Sequence, residues 1–518
     1  MLKFAKKIDF AILFMVAVYV SVLFIYKDAL LCNTDNVFLL NRAQQMLHCI
    51  RDGNIPFFYY DDFKGIGYGS AFFYGHLTLY PFLPLLLLGK LPFLYGYIMA
   101  SLIMSIIGVK AFVKRFCSNS RFVSDLYLLS ISFFMLFVYT QLYACIMGQA
   151  LGFLFLAYLV DFLRDKKSFL PSGLLFFLVI NTHLLTAFVV FLIAVYMGII
   201  YFDKNRIKEY VLYFVYVLSL CLYFICNYFY HREALNDIQS ISKFSLGSGI
   251  EVKFGYTVPV GLFESYVFTK KLGCNTYFDI CTFVTLIFLL IKNRKKLSIK
   301  EKATIGVCVC LLILGLTQVW HWFNLHILTL PFQFSLRYVP FILVYLYCIS
   351  LQYAGKDLQI FLKSYVLFLL ILLFICYQLS NRPVMQEYTE IDKYVGNGEY
   401  VSKNFYYTPS EIENATVHDN NTVYDYTEKK GKLVVEINTN GTKKITVPKL
   451  FYKGYKAKFN GENVKILSKI TNFITVEVEG NGTLEIYYSH PWWLKLLDLG
   501  CLIEFMTAMI VFSERSKQ

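Results

Sequence analysis

The side chains able to do chemistry in this chain are few, and they stand out against an apolar background. Asp35, Arg42, His48, Asp61 and Asp62 fall close together near the N-terminal end. His183, the pair His321 and His326, and Arg337 follow far downstream, each within or beside an apolar run. A carboxylate such as Asp35 can take a proton from a hydroxyl as a general base. The planar fork of Arg337, in LPFQFSLRYVPF, matches a phosphate by charge-assisted hydrogen bonds. His183, in NTHLLTAF, and His326 could donate to the same group. Asp61 and Asp62, with Arg42, could meet an acceptor or a metal.

Each has a plainer reading. Asp35 or Asn36 could cap the helix that follows. Arg337 could snorkel to lipid headgroups, His183 could be an ordinary interfacial histidine, and Asp61-Asp62 could be a solvated pair. The Gly-rich stretch GIGYGSAFFYG (65–75) lacks phosphate-loop spacing, and GxGxxG, Walker A, HExxH and GxSxG motifs are absent. With no ATP site in the sequence, an activated substrate must supply the energy. An outer acid and an intramembrane cation suit a lipid-phosphate donor better than a soluble nucleotide.

The elements that must position these groups are set by composition. Of 518 residues, 57% are hydrophobic and only 16% charged, with 50 Phe and 41 Tyr. Soluble proteins carry roughly 25% charged residues, so an ordinary soluble enzyme is excluded. Disorder is excluded too, since it needs low hydrophobicity. The chain reads as a polytopic α-helical membrane protein. Apolar runs predict about twelve spans, near 8–26, 93–113, 125–143, 146–163, 168–182, 184–202, 209–229, 276–291, 303–320, 335–353, 360–379 and 492–512. The first reads as an uncleaved anchor. The segment His76–Gly89, broken by Pro81 and Pro84, is expected to be re-entrant or interfacial.

The net charge of +14 has no nucleic-acid motif behind it and no basic stripe on a polar helix. Its Lys and Arg gather in alternate short loops, such as Lys292, Arg294, Lys295, Lys296, Lys300 and Lys302, whereas the turns near Ala144 and His183 have none. The positive-inside rule then places both termini in the cytoplasm. The segments 28–92, 230–275 and 380–491 fall outside, and the polar groups above collect at the outer interface. The 13 Cys are scattered without a CxxC or Cys/His cluster, and Cys32 and Cys274 could meet on the outer face.

Two outer segments predict structure of their own. In residues 36–51, Val37, Leu40, Ala43, Met46, Leu47 and Ile50 recur at helical spacing, which predicts an amphipathic helix lying on the membrane. The stretch from Lys432 to Ser489 alternates apolar and polar residues, with Asn-Gly pairs at 440–441, 460–461 and 481–482 as turn signals. It predicts a small antiparallel β domain, near the C-terminus and anchored by Trp492 and Trp493. The expected division is therefore 1–380 transmembrane, 381–491 β, and 492–518 a last span with a short tail. Of the four Asn-x-Ser/Thr sequons (Asn414, Asn420, Asn440, Asn481), two coincide with expected hairpin Asn-Gly turns.

TDNVFLLNRAQQML and GNIPFFYYDDFKGIGYGSAFFYGHLTLYPFLPLL resemble the start of a bacterial membrane family named for a "6-pyruvoyl-tetrahydropterin synthase-related" domain. NTHLLTAF (181–188) and PFQFSLRYVPF (331–341) are similar to its later motifs. VPKLFYKGYKAKFNGENVKI (447–466) resembles the β domain of that family and of YfhO-type proteins. These families resemble the GT-C glycosyltransferases. The resemblance implies a bacterial plasma-membrane enzyme that moves a sugar, with inversion, from a polyprenyl-phosphate donor to an extracytoplasmic glycan, lipid or wall polymer. It implies Asp35 as the base and Arg337, with His183 and His326, at the donor phosphate. Asn33 replaces the first Asp of the family's Asp-x-Asp pair, which speaks against a divalent metal, although Asp61 or Asp62 could supply a distant ligand. Leu39 stands where many relatives have His. A lipid-linked-saccharide transporter, or an envelope assembly protein, would keep the cavity without needing a base.

Overall fold

The computed structural model describes residues 34–62, 65–117, 123–124, 143–165, 168–234, 280–314, 338–354, 411–412, 414–419 and 421–515. The expected spans 8–26 and 360–379, nearly all of 125–143, and the Cys32–Cys274 pairing lie outside these residues. The described α-helices are α1 (Thr34–Arg51), α2 (Lys90–Phe116), α3 (Tyr143–Asp165), α4 (Phe169–Ile180) and α5 (Leu184–Ile200). They continue with α6 (Ile207–His231), α7 (Ile280–Lys292), α8 (Ile299–Leu314), α9 (Val339–Ala354) and α10 (Trp492–Arg515).

Four helices among the described residues are long and apolar enough to cross a membrane: Lys90–Phe116, Ala144–Asp165, Lys204–Ala234 and Trp492–Glu514. In the second of these, 83% of the apolar window is buried inside the protein, against 17% and 11% in the last two. The α3 helix is therefore the centre of the bundle, and α6 and α10 present apolar side chains outward. Small residues let the central pair meet closely. A Cβ at Gly108 of α2 would lie 2.3 Å from the Ala150 carbonyl oxygen of α3, so only glycine permits that approach.

The contacts sort the bundle into two ends. At one, Arg115 of α2 pairs with Asp161 of α3, and Arg164 donates to the Arg115 carbonyl at 3.0 Å and to Tyr201 at 2.6 Å. Arg206 donates to the carbonyls of Phe162 and Leu163, covering the last turn of α3 where the helix dipole is negative. At the other end, Tyr230 of α6 meets Trp493 of α10, and Gly75 lies against Asn181 at the turn between α4 and α5. These helix directions put the basic residues together at one end.

The segment His76–Gly89 does not form a spanning α-helix. Residues Leu77–Leu87 make a 3₁₀ helix containing Pro81 and Pro84, packed on the start of α2 through Phe82 and Tyr97. Proline removes donors and clashes in an α-helix interior, which accounts for the tighter form.

The C-terminal polar region is an antiparallel sandwich. One sheet contains β1 (Val417–His418), β2 (Val423–Tyr424), β5 (Thr442–Leu450) and β8 (Phe473–Glu479), in the order β2-β1-β5-β8. The other contains β3 (Tyr426–Lys429), β4 (Lys432–Ile437), β6 (Tyr455–Phe459), β7 (Glu462–Val464) and β9 (Gly482–Tyr488), in the order β3-β4-β9-β6-β7. Leu433, Val435, Ile445, Val447, Ile474, Val476, Leu484 and Ile486 alternate inward and are buried between the sheets. Of the three Asn-Gly pairs, only Asn460-Gly461 closes a hairpin, β6–β7, with both residues at positive φ. Asn440-Gly441 and the turn at Asn481-Gly482 carry the chain from one sheet to the other, correcting the hairpin expectation for those two. They meet at one corner, where Asn481 accepts from the Thr439 amide and Asn460 from the Thr483 amide.

Candidate functional site

At the end opposite the basic cluster, α1, the loop 52–76, the end of α6 and the sandwich pack into one body. The α1 helix does not lie free on the membrane as its apolar spacing suggested. Val37, Leu40, Ala43 and Met46 of that apolar face are buried against the protein, together with Leu39, Arg42 and Cys49, whereas Ile50 is exposed. The helix packs on the 3₁₀ segment, α2 and α3. Its described part begins at Thr34, with Asp35 and Asn36 inside the helix rather than at an N-cap. The Asp35 side chain lies outside the described residues, as do Arg337 and His326.

Arg42 is the principal feature. It lies two turns beyond Asp35, on the same helical face. Its side chain is only 2% exposed. One guanidinium nitrogen donates to the carbonyls of Gly75, at 2.8 Å, and Tyr74, at 3.3 Å. The planar face stacks on the Tyr74 ring at 4.9 Å and on Phe38 at 5.6 Å. Its Nε has no hydrogen-bond partner, and no carboxylate pairs with it among the described residues. Close by, the Tyr59 hydroxyl and His76 Nδ1 are likewise buried without partners. Burial, then the Arg42 charge, pushes His76 down to about 4, so its ring is neutral near pH 7. Burial pushes the Tyr59 hydroxyl well above the ordinary tyrosine range, against the pull of Arg42. The result is a buried cation with neutral donors around it, a setting that a phosphate would complete.

The remaining candidates sort around this centre. His183 is buried and N-caps α5: its Nδ1 accepts from the Thr186 amide at 3.2 Å and meets the Thr186 hydroxyl at 2.8 Å. That bond fixes the proton on Nε2, so a neutral ring there is a donor. His183 is also 6.4 Å, ring to ring, from Tyr74, which links it to Arg42. Asp62 is buried and accepts from Asn41 of α1 at 2.8 Å. Asp61 pairs instead with His48 at 2.9 Å, and His48 lies 3.5 Å from Asp52, whose carboxylate accepts from the Tyr60 hydroxyl. Arg42 cannot ligate a metal. Among the described residues no group of three His, Cys, Asp or Glu gathers in ligand geometry.

Residues to which the sequence assigned no chemistry hold the site in place. The Gly-rich stretch is a packing hub: Gly69 lies under the Tyr452 ring, and Phe72 stacks on His231 of α6 at 3.6 Å. In β5, Pro448 interrupts the ladder with β8, and the register shifts between Val447 and Leu450. Beyond this irregularity, the Leu450 amide donates to the Ile66 carbonyl at 2.9 Å. Lys449, 2% exposed, donates to the Tyr60 and Gly65 carbonyls and to Glu428. Burial lowers Lys449 and raises Glu428, each against the attraction of the other. His490 stacks on Phe57 at 4.3 Å, and burial, followed by the Lys495 charge, lowers it to about 3. The sandwich is therefore bonded to the very loop that closes over Arg42.

No family model, no curated protein and no solved structure matches this chain.

Proposed function

We propose that this chain is a GT-C-like membrane protein of about twelve spans that transfers a sugar from a polyprenyl phosphate to an extracytoplasmic glycan, lipid or wall polymer. The observation that carries this reading is Arg42, a fully buried cation without an anionic partner among the described residues, two turns from Asp35 on one helical face. In this mechanism Asp35 removes the proton from the acceptor hydroxyl as its oxygen attacks the anomeric carbon. The bond from that carbon to the phosphate oxygen breaks with inversion. Arg42, with the His183 Nε2–H, receives the charge left on the phosphate in a poorly solvated site. Arg337 and His326 join them on the strength of the sequence resemblance. The positive-inside pattern supports an outer-face site, and the sequence resemblance supports a bacterial plasma membrane.

The test is sugar transfer in proteoliposomes from a panel of polyprenyl-phosphate sugars, with wild type and Asp35→Asn compared. Loss of a general base costs about 10²–10⁴-fold. A wild type that transfers no sugar, or an Asp35→Asn protein equal to it, would remove the catalytic reading of Asp35.

A further inference from the structure

A second candidate site lies at the opposite, basic end of the bundle. There α2, α3, α5, α8 and α9 enclose a cavity of ≈ 330 Å³, at the lower edge of the roughly 300–1,000 Å³ typical of small-molecule sites. Its depth is apolar, with Ile193, Leu311 and Ile342 among the lining residues. Phe153 packs on two of its lining rings, Phe112 at 5.5 Å and Phe341 at 4.5 Å.

Its mouth is charged. The lining holds Arg115, Arg164 and Lys300 against one carboxylate, Glu301. Arg115 is matched by Asp161, which leaves a balance of one positive charge. Glu301 is already engaged, accepting from the Ser298 amide at 2.7 Å, the Ser298 hydroxyl at 2.8 Å and the Tyr353 hydroxyl at 3.1 Å. The two other cations converge on one ring: Arg164 Cζ lies 4.8 Å and Lys300 Nζ 5.1 Å from the centroid of Tyr201. Two like charges held against one aromatic face, with no carboxylate paired to either among the described residues, are relieved by a bound anion.

A net monocationic mouth above an apolar depth, set among apolar helices of which α2 and α3 are long enough to cross a membrane, selects an amphiphile. We propose that this cavity binds an anionic phospholipid from the leaflet at the basic end, with its phosphodiester between Arg164 and Lys300 and one acyl chain in the apolar depth. Basic pockets between membrane helices recognise anionic headgroups in this way. A free phosphate would satisfy the mouth alone, and the acyl chain distinguishes the two sources.

The experiment uses the full chain in detergent, delipidated and then titrated with phosphatidylglycerol, phosphatidylcholine or inorganic phosphate, with bound lipid counted by native mass spectrometry and unfolding followed thermally. Phosphatidylglycerol is expected to bind at least tenfold more tightly than phosphatidylcholine and to raise the unfolding temperature. The double variant Arg164→Gln, Lys300→Gln changes two exposed side chains and is expected to remove that preference. Leu311→Trp, which fills the depth but keeps both cations, is expected to weaken long-chain phosphatidylglycerol while sparing a short-chain form. Equal binding of the two lipids, an unchanged preference in the double variant, or stabilisation by inorganic phosphate as large as by the lipid would each overturn the proposal.

Discussion

Replacing Lys449 by Met tests whether the sandwich really clamps the loop over Arg42. The change keeps most of the buried stem and removes the ammonium that ties β5 to the Tyr60 and Gly65 carbonyls and to Glu428. Breaking a buried pair costs about 3–5 kcal/mol when it strands the partner charge. Glu428 is 23% exposed and can be reached by water, so the lower figure applies. About 3 kcal/mol corresponds to roughly two orders of magnitude in a local opening equilibrium. Amide hydrogen exchange of the full chain reads it directly. The Tyr68 amide, bonded to Tyr59 at 3.1 Å, and the Leu450 amide, bonded to Ile66 at 2.9 Å, are expected to exchange about 100-fold faster. Adding Glu428→Leu removes the stranded carboxylate, so the double variant is expected to recover part of the loss. Exchange within tenfold of wild type in Lys449→Met, or no recovery in the double variant, would refute the clamp.

Two further outcomes follow from the packing and the buried histidines. Gly108→Val drives a side chain into the Ala150 carbonyl, and overpacking of this kind costs about 1–3 kcal/mol. Its thermal midpoint is expected to fall clearly, whereas Gly306→Ala, where a Cβ meets nothing within 4 Å, is expected to leave the midpoint unchanged or slightly higher. His76 and His490 have folded pKa values of about 4 and about 3, below the ordinary 6.5. Between those values the unfolded chain binds more protons, so their contribution to stability is complete above pH 6.5 and declines as pH falls towards 4 and then 3. Melts from pH 8 to pH 4 should show this loss beginning near 6.5, and it should shrink in His490→Phe, which keeps the stack on Phe57.

What the sequence disclosed and what it hid have separate physical origins. Apolar runs, the Pro81 and Pro84 interruption, and two-residue alternation from Lys432 onward are local signals; among the described residues they correspond to apolar helices, a break from α-helix and antiparallel strands. The partner of a face is not local. The apolar face of α1, Val37, Leu40, Ala43, Met46, Leu47 and Ile50, predicts contact with lipid, but Val37, Leu40, Ala43 and Met46 are buried against protein together with Leu39, Arg42 and Cys49. An arginine at stripe spacing was the available signal for Arg42. Likewise an Asn-Gly pair specifies a turn but not whether it joins neighbours in one sheet or crosses between two. Lys449 gave only a faint sign, a Pro-Lys pair within a strand, because its role depends on a loop almost four hundred residues earlier.

The central claim is that Arg42 is buried to hold an anion. A photoactivatable polyprenyl phosphate, added to wild type and to Arg42→Gln in proteoliposomes, tests it most directly, with the labelled peptides then mapped. Labelling of the segments around 34–51 and 65–76 is expected in wild type, suppressed by unlabelled polyprenyl phosphate but not by polyprenol. That labelling is expected to fall at least tenfold in Arg42→Gln, while Lys449-dependent exchange protection persists as proof of folding. Equal labelling of the two proteins, or competition by polyprenol as strong as by the phosphate, would contradict it.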